Sequence, residues 1–237
     1  MNNVGIGLTC FGDEYYYDVT DNKLHTFLKR DINCYILTDN PEYFNLKYNT
    51  PYCHPIKYSR DLKSYHDKLL ISKEVLKIHN ICILIDSDVI IQDDTFIDDI
   101  NEYKFEKGIT YIDTLKSHEC KMEFIRDIGM NPENIDWYNY RKYLEKVYSQ
   151  YGDLETIYEY LIVINKEGLN EDFYSTYEKL QVVKEACDVL SGKKIIIGSA
   201  EGVSTHISAK ITNTQIQRDQ ILYNVLEGKI RNQNIIK

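Results

Sequence analysis

Asp86 and Asp88 stand one residue apart, directly after an apolar run from Ile81 to Ile85. A second apolar run, Val89 to Ile91, follows at once. Charge is costly in buried surroundings, so two carboxylates between two apolar runs call for a compensating partner. In an extended chain residues two apart face the same way. If the chain stays extended, Asp86 and Asp88 face one direction and Ser87 the other. Paired carboxylates are hard oxygen donors and suit a divalent cation such as Mg2+ or Mn2+. An Asp-x-Asp triplet also arises at plain turns and helix N-caps, and Asp93 and Asp94 read as such a capping pair. The apolar runs on both sides favour the metal reading for Asp86 and Asp88.

Three further acidic residues could serve as a general base or charge stabiliser. Glu201, in "GSAEGVS", follows the apolar "KIIIG" and sits among small residues, so a turn open to a ligand is expected there. Asp219, in "RDQILYN", stands in the first turn of an expected helix, where the helix dipole stabilises it without any catalytic role. Glu159 precedes "YLIVI" and can simply mark a strand start. Trp137 and Tyr138, in "IDWYNY", could form an apolar platform or pack in the core.

The elements around these residues alternate. Strands are expected at 3–9, 33–39, 52–58 and 81–85, with amphipathic helices at about 13–30 and 64–79. Further on, helices are expected at 93–103, 138–151, 171–192 (closed by Gly192) and 216–229. Strands are expected at 107–113 and 157–165, and in "KIIIGS". Such alternation predicts an α/β fold with a mainly parallel sheet flanked by helices. In open sheets of this kind ligands bind beyond the carboxyl ends of the strands, which is where Asp86 falls. The early "VGIG" lacks the third glycine of a dinucleotide fingerprint.

The 237 residues carry 43% hydrophobic and 27% charged side chains, with 4 Pro and 11 Gly and no linker-like or repeated tract, so a single domain spanning 1–237 is expected. A net charge of −9 gives no pull towards nucleic acid or anionic membrane. No apolar stretch approaches the length of a membrane span, and "MNNVGIGLTC" does not read as a signal peptide. Cys10, Cys34, Cys53, Cys82, Cys120 and Cys187 are scattered singly, without a CxxC pair. They read as reduced thiols of a cytoplasmic protein, and a zinc site is not expected. Tyrosine is abundant, 21 against 7 Phe and 1 Trp, in step with the abundant Ile, Lys and Asn.

"HDKLLISKEVLKIHNICILIDSDVIIQDD" resembles the core of GT-A-fold glycosyltransferases, the group that includes glycogenin and bacterial lipooligosaccharide galactosyltransferases. "YILTDN" resembles their second-strand motif, and "VGIGLTCFGDEYY" their first strand and base-binding turn. The three pieces come in the family's order and cover about residues 3–94. The resemblance implies a GT-A-type Rossmann-like fold, with a nucleotide-binding half at about 1–94 and an acceptor half at about 95–237. It implies transfer of a sugar from a nucleotide-sugar donor, expected to be a UDP-sugar, to a glycan or other hydroxyl acceptor. Asp86 and Asp88 would hold Mn2+ or Mg2+, Lys68 would lie near the donor phosphates, and Ser87 would be among the donor-binding residues. Thr9, Phe11 and Asp39 would line the base and ribose. His206, in "SAEGVSTHISAK", would be a late third metal ligand, expected in a turn-rich segment, although the family's final Gly-Lys-Pro-Trp segment is absent. Asp219 loosely resembles the Asp-Gln segment of retaining members. Two other classes fit the same acidic pair: a metal-dependent phosphoryl-transfer enzyme, and a non-catalytic nucleotide-sugar-binding module.

Overall fold

The computed structural model describes residues 3–59, 67–112, 149, 161–179, 197–226 and 228–232. In chain order these form β1 (Val4–Cys10), α1 (Glu14–Leu28), β2 (Cys34–Thr38), α2 (Pro41–Lys47), β3 (Cys53–Lys57) and α3 (Asp67–Val75). Then come β4 (Ile81–Ile85), β5 (Val89–Ile91), α4 (Phe96–Glu102), β6 (Gly108–Tyr111) and β7 (Leu161–Asn165). The last elements are α5 (Phe173–Lys179), α6 (Ile197–Thr212), β8 (Ile216–Arg218), α7 (Gln220–Leu226) and β9 (Ile230–Asn232). Trp137, Tyr138, Glu159, Gly192, Cys120 and Cys187, and nearly all of the helix expected at 138–151, lie outside the described residues.

Seven strands form one sheet in the order β3-β2-β1-β4-β7-β6-β8. β1 pairs in parallel with β2 and β4, β2 with β3, and β6 with β8, while β7 is antiparallel to both β4 and β6. The sheet is therefore mixed and mainly parallel, and the α/β expectation holds.

Alternation along the strands divides the core into two layers. Ile6, Leu8, Cys10, Ile83 and Ile85 face one layer with Leu24 and Phe27 of α1, Phe96 of α4 and Leu222 of α7. Tyr35, Leu37, Cys82, Leu84, Ile109 and Ile162 face the other, with Leu69 and Ile71 of α3, Phe173 of α5 and Ala209 of α6. Strands buried on both faces read as unbroken apolar runs, which is why "ICILI" and "YIL" show no polar alternation.

The glycines of "VGIG" let α3 lie close against β1. A Cβ on Gly7 would stand 2.6 Å from Leu84 Cδ2 and 3.0 Å from Ile71 Cγ2, and one on Gly5 2.6 Å from Val75 Cγ1. Their role here is close helix–sheet packing.

Two expectations need correction. The segment around Glu201 and His206 is not a turn after a strand: from Ile197 to Thr212 the chain is helical. Thr205, His206, Ile207, Ser208, Ala209 and Thr212 are buried, and with Ile207 the one large apolar residue among these six, a search for large apolar residues at helical spacing misses the helix. The segment 216–229 opens as strand β8 before turning into α7, because its first residues pair with β6. After Asp88 the chain does not continue β4 but forms β5, which pairs with β9 in a separate two-stranded sheet. No helix among the described residues is long and apolar enough to cross a membrane.

Candidate active site

The chain leaves β3 at one side of β1 and returns, through α3, as β4 on the other side. This reversal of winding makes the crevice beyond the ends of β1 and β4 the favoured ligand position in an open α/β sheet. Cys10 is registered opposite Thr38, and Thr38 opposite Lys57. Phe11, Asp39, Tyr58 and Asp86, the residues that follow β1, β2, β3 and β4, therefore share one sheet edge.

At Asp86 the strand stops in a turn. The Val89 N–H donates to the Asp86 carbonyl at 3.2 Å, so Asp86-Ser87-Asp88-Val89 is a β-turn. The premise of an extended chain from Asp86 to Asp88 is thus not met: the two aspartates occupy the first and third turn positions. The Ser87 N–H donates to Asp86 Oδ1 at 2.8 Å. Asp88 is buried, and Asp86 and Ser87 are half-buried.

Two lysines grip this turn from opposite sheet faces. From α3, Lys68 Nζ lies 3.1 Å from Asp86 Oδ1 as a salt bridge, with the lysine side chain only 10% exposed. From α1, Lys23 is completely buried. Its Nζ donates to the carbonyls of Asp86 at 2.8 Å, Ser87 at 2.9 Å and Val89 at 3.0 Å. Burial pushes the Lys23 ammonium down to about 8, while the charges of Asp86 and Asp88 pull it up. The turn thus carries two carboxylates with two lysines beside it.

On the β1–β2 side, Thr9 is buried, and Phe11 is almost fully buried, its ring edge-on to Tyr58 at 6.2 Å between centroids. Phe11 thus supports Tyr58 more than it offers an open face. Thr38 Oγ1 accepts the Asn40 N–H at 3.2 Å. Exposed Asp39 is steadied by Tyr17, whose hydroxyl donates to Asp39 Oδ1 at 3.1 Å. Tyr15, in the first turn of α1, lies near Asp88: burial, then the charges of Asp88 and Asp13, push its phenol upward.

The acceptor-side candidates separate. Asp219 follows β8, which is parallel to β6, and so stands on the same edge as Asp86. Three strand spacings, about 14 Å, lie between their strands. Its oxygens are engaged: Oδ1 accepts the Leu222 N–H at 2.8 Å, capping α7, and Oδ2 accepts the Tyr103 hydroxyl. α6 joins β8 through residues 213–215, so its last turn lies near the start of β8, at the edge opposite Asp86. Counted from Thr212, Glu201 lies about 16 Å up the helix and His206 about 9 Å. The backbone of Glu201 is thus further along the helix from the start of β8 than that of His206. His206 is buried in mid-helix, and among the described residues no three His, Cys, Asp or Glu side chains gather around a possible metal position.

The donor set tests whether a divalent cation fits. Mg2+ commonly takes one or two carboxylates and fills its shell with substrate phosphate oxygens and water. Asp86 and Asp88 meet that requirement without a third protein ligand. A surface groove lined by Asn170, Asp172, Ser175, Thr176 and Asn213 lies at the opposite sheet edge and takes no part. Lys23, Tyr15 and Tyr58 were not among the residues singled out from sequence. Lys23 had a signal: it falls four residues after Val19 and four before Phe27, both buried, on the core-facing stripe of α1.

No family model and no curated protein matches the chain. Among solved structures it is similar to the galactosyltransferase LgtC in complex with donor and acceptor sugar analogs, at 10% identity, covering 90% of this chain and 72% of that one with a TM-score of 0.43. It is similar to a putative nucleotide-diphospho-sugar transferase from Desulfovibrio desulfuricans G20, at 12% identity, covering 93% and 80% with a TM-score of 0.45. It is also similar to the mannosyltransferase PcManGT from Pyrobaculum calidifontis in complex with GDP-Man and Mn2+, at 9% identity, covering 93% of this chain and 55% of that one with a TM-score of 0.45. Identities this low assign no role to any residue.

Proposed function

We propose that this chain is a metal-dependent glycosyltransferase that moves a sugar from a nucleotide-sugar donor, a UDP-sugar, to a hydroxyl acceptor. The observation that carries this reading is the Asp86–Val89 turn. It sets two carboxylates at the end of β4, at the point where the winding of the sheet reverses, with Lys68 paired to Asp86. Mn2+ or Mg2+ held by Asp86 and Asp88 would act as a Lewis acid for the charge that builds on the departing diphosphate. Lys68 is placed to share that charge, because a diphosphate oxygen competes with Asp86 for the same ammonium. Ser87, between the aspartates, is offered to the donor. Thr9, Phe11 with Tyr58, and Asp39 form the nucleoside end, and Asp39 is oriented by Tyr17 to accept hydrogen bonds from base or ribose. On the acceptor side, Glu201 is assigned to orient or deprotonate the hydroxyl, and Asp219 is the competing carboxylate.

The test is a panel of UDP-, GDP-, ADP- and CMP-sugars incubated with Mn2+, in which slow release of free nucleotide is measured. The reading expects release from a UDP-sugar, loss on metal chelation, and loss in Asp88→Asn with an unchanged melting temperature. If no nucleotide sugar in the panel is turned over, or if turnover survives both chelation and Asp88→Asn, the reading fails. Nucleotide binding without turnover would leave only the binding-module alternative.

A further inference from the structure

A fully buried lysine whose donors all end on main-chain carbonyls is an unusual way to close a turn. An ammonium has three N–H donors, and Lys23 places them on the carbonyls of Asp86, Ser87 and Val89 at 2.8, 2.9 and 3.0 Å. None is left for a phosphate, so Lys23 is not a ligand-binding residue. Each peptide unit is planar, with its C=O and N–H pointing opposite ways. Carbonyls 86 and 87 drawn towards Lys23 therefore turn the Ser87 and Asp88 N–H groups away from it. The Ser87 N–H, so directed, donates to Asp86 Oδ1 at 2.8 Å and fixes that carboxylate's orientation. Lys68 then meets the same oxygen from the other side of the sheet.

We infer that Lys23 is the positioning residue of the acidic turn: its three carbonyl contacts pre-set Asp86 and Asp88 in the geometry that receives the cation. This inference rests on the proposed metal site and deepens it. Lys23 acts in two opposing ways. Its positive charge repels an incoming cation, so removing the charge alone would tighten metal binding. Its hydrogen bonds hold the turn, so removing them loosens the carboxylates and weakens metal binding. Partners that orient metal ligands typically contribute about 10–100-fold in metal affinity, and positioning is inferred to dominate because all three donors are spent on the backbone.

The experiment measures bound Mn2+ by electron paramagnetic resonance in the presence of UDP, for the wild type, Lys23→Met and Asp88→Asn. Lys23→Met keeps an unbranched, largely apolar stem and removes the ammonium. The expected result is saturable binding by the wild type, none by Asp88→Asn, and a rise of about 10–100-fold in the Mn2+ concentration needed by Lys23→Met. No saturable binding by the wild type would sink the metal site itself, and with it this inference. Binding by the wild type with unchanged or tighter binding by Lys23→Met would overturn the Lys23 inference alone. A purely structural lysine would lower the melting temperature and leave the Mn2+ requirement unmoved. Should Lys23→Met not fold, hydrogen exchange of the metal-free wild type decides. Slow exchange at residues 87–89, little changed by Mn2+ and UDP, supports a turn already set by Lys23. Exchange there at unfolded-chain rates overturns it.

Discussion

Gly7→Ala probes the link between the sheet and the lysine that meets Asp86. A Cβ at residue 7 would stand 2.6 Å from Leu84 Cδ2, 3.0 Å from Ile71 Cγ2 and 3.3 Å from Cys82 Sγ. Carbon atoms in good contact lie about 3.5–4.0 Å apart, so Leu84 would have to give by about 1 Å. Leu84, Ile71 and Cys82 are all fully buried, which leaves little room for adjustment short of moving α3 outward. Overpacking of this kind costs about 1–3 kcal/mol. For a chain of this size each kcal/mol lowers Tm by about 2–4 °C, so a fall of about 2–12 °C is expected in a thermal melt followed by circular dichroism. Lys68 is one helical turn from Ile71, so the same displacement carries its ammonium away from Asp86, and UDP affinity in Mn2+ should fall with Tm. Gly228→Ala is the contrast: residue 228 has φ of +82° and nothing within 4 Å of a new Cβ, so its penalty is backbone strain alone and UDP affinity should hold. A Gly7→Ala protein that melts with the wild type and binds UDP equally well would refute the packing argument.

Asp39→Ala should weaken UDP markedly and free diphosphate little in a titration with both ligands, since Asp39 stands at the nucleoside end; equal losses would remove it from that end. Glu201→Gln should cut turnover by about a hundred- to ten-thousand-fold with UDP affinity unchanged. Asp219→Asn should leave the α7 cap and Tm nearly unchanged, because an Asn side-chain oxygen caps about as well as Asp, and loss of turnover in Asp219→Asn rather than Glu201→Gln would move the acceptor role to Asp219. Burial raises the Cys10 thiol from 9.0 to about 11. The unfolded thiol ionises first, so this residue's contribution to stability declines as pH rises from 9 towards 11. At pH 8 the Cys10 peptide of the native protein should resist iodoacetamide and be labelled only after denaturation; rapid native labelling would contradict its burial.

The first half of the chain was legible because its strands are buried on both faces, so "VGIGLT", "YILT" and "ICILI" stand out as apolar runs. The turn at Asp86 was not, because it is closed by a lysine 63 residues upstream, a contact no local pattern contains. Lys23 lies on the core-facing stripe of α1, and only its three carbonyl acceptors, all more than sixty residues away, explain a charge there. The helix around Glu201 and His206 is not legible because Ile207 is the one large apolar residue among the buried Thr205, His206, Ile207, Ser208, Ala209 and Thr212, and Ser and Thr also favour turns. For Asp219 the sequence offered both a carboxylate stabilised by a helix dipole and a catalytic carboxylate, and in the structure Asp219 stands just before α7 and accepts the Leu222 N–H.

The central claim is that Asp86 and Asp88 hold a divalent cation that in turn holds a nucleoside diphosphate. Crystals grown with UDP and Mn2+, with diffraction recorded where manganese scatters anomalously, test it most directly. The account predicts one manganese peak beyond the end of β4, about 2.0–2.3 Å from oxygens of Asp86, Asp88 and the UDP diphosphate, with His206 outside that shell. UDP bound elsewhere, or bound at this edge with no manganese between its phosphates and these two aspartates, would contradict it.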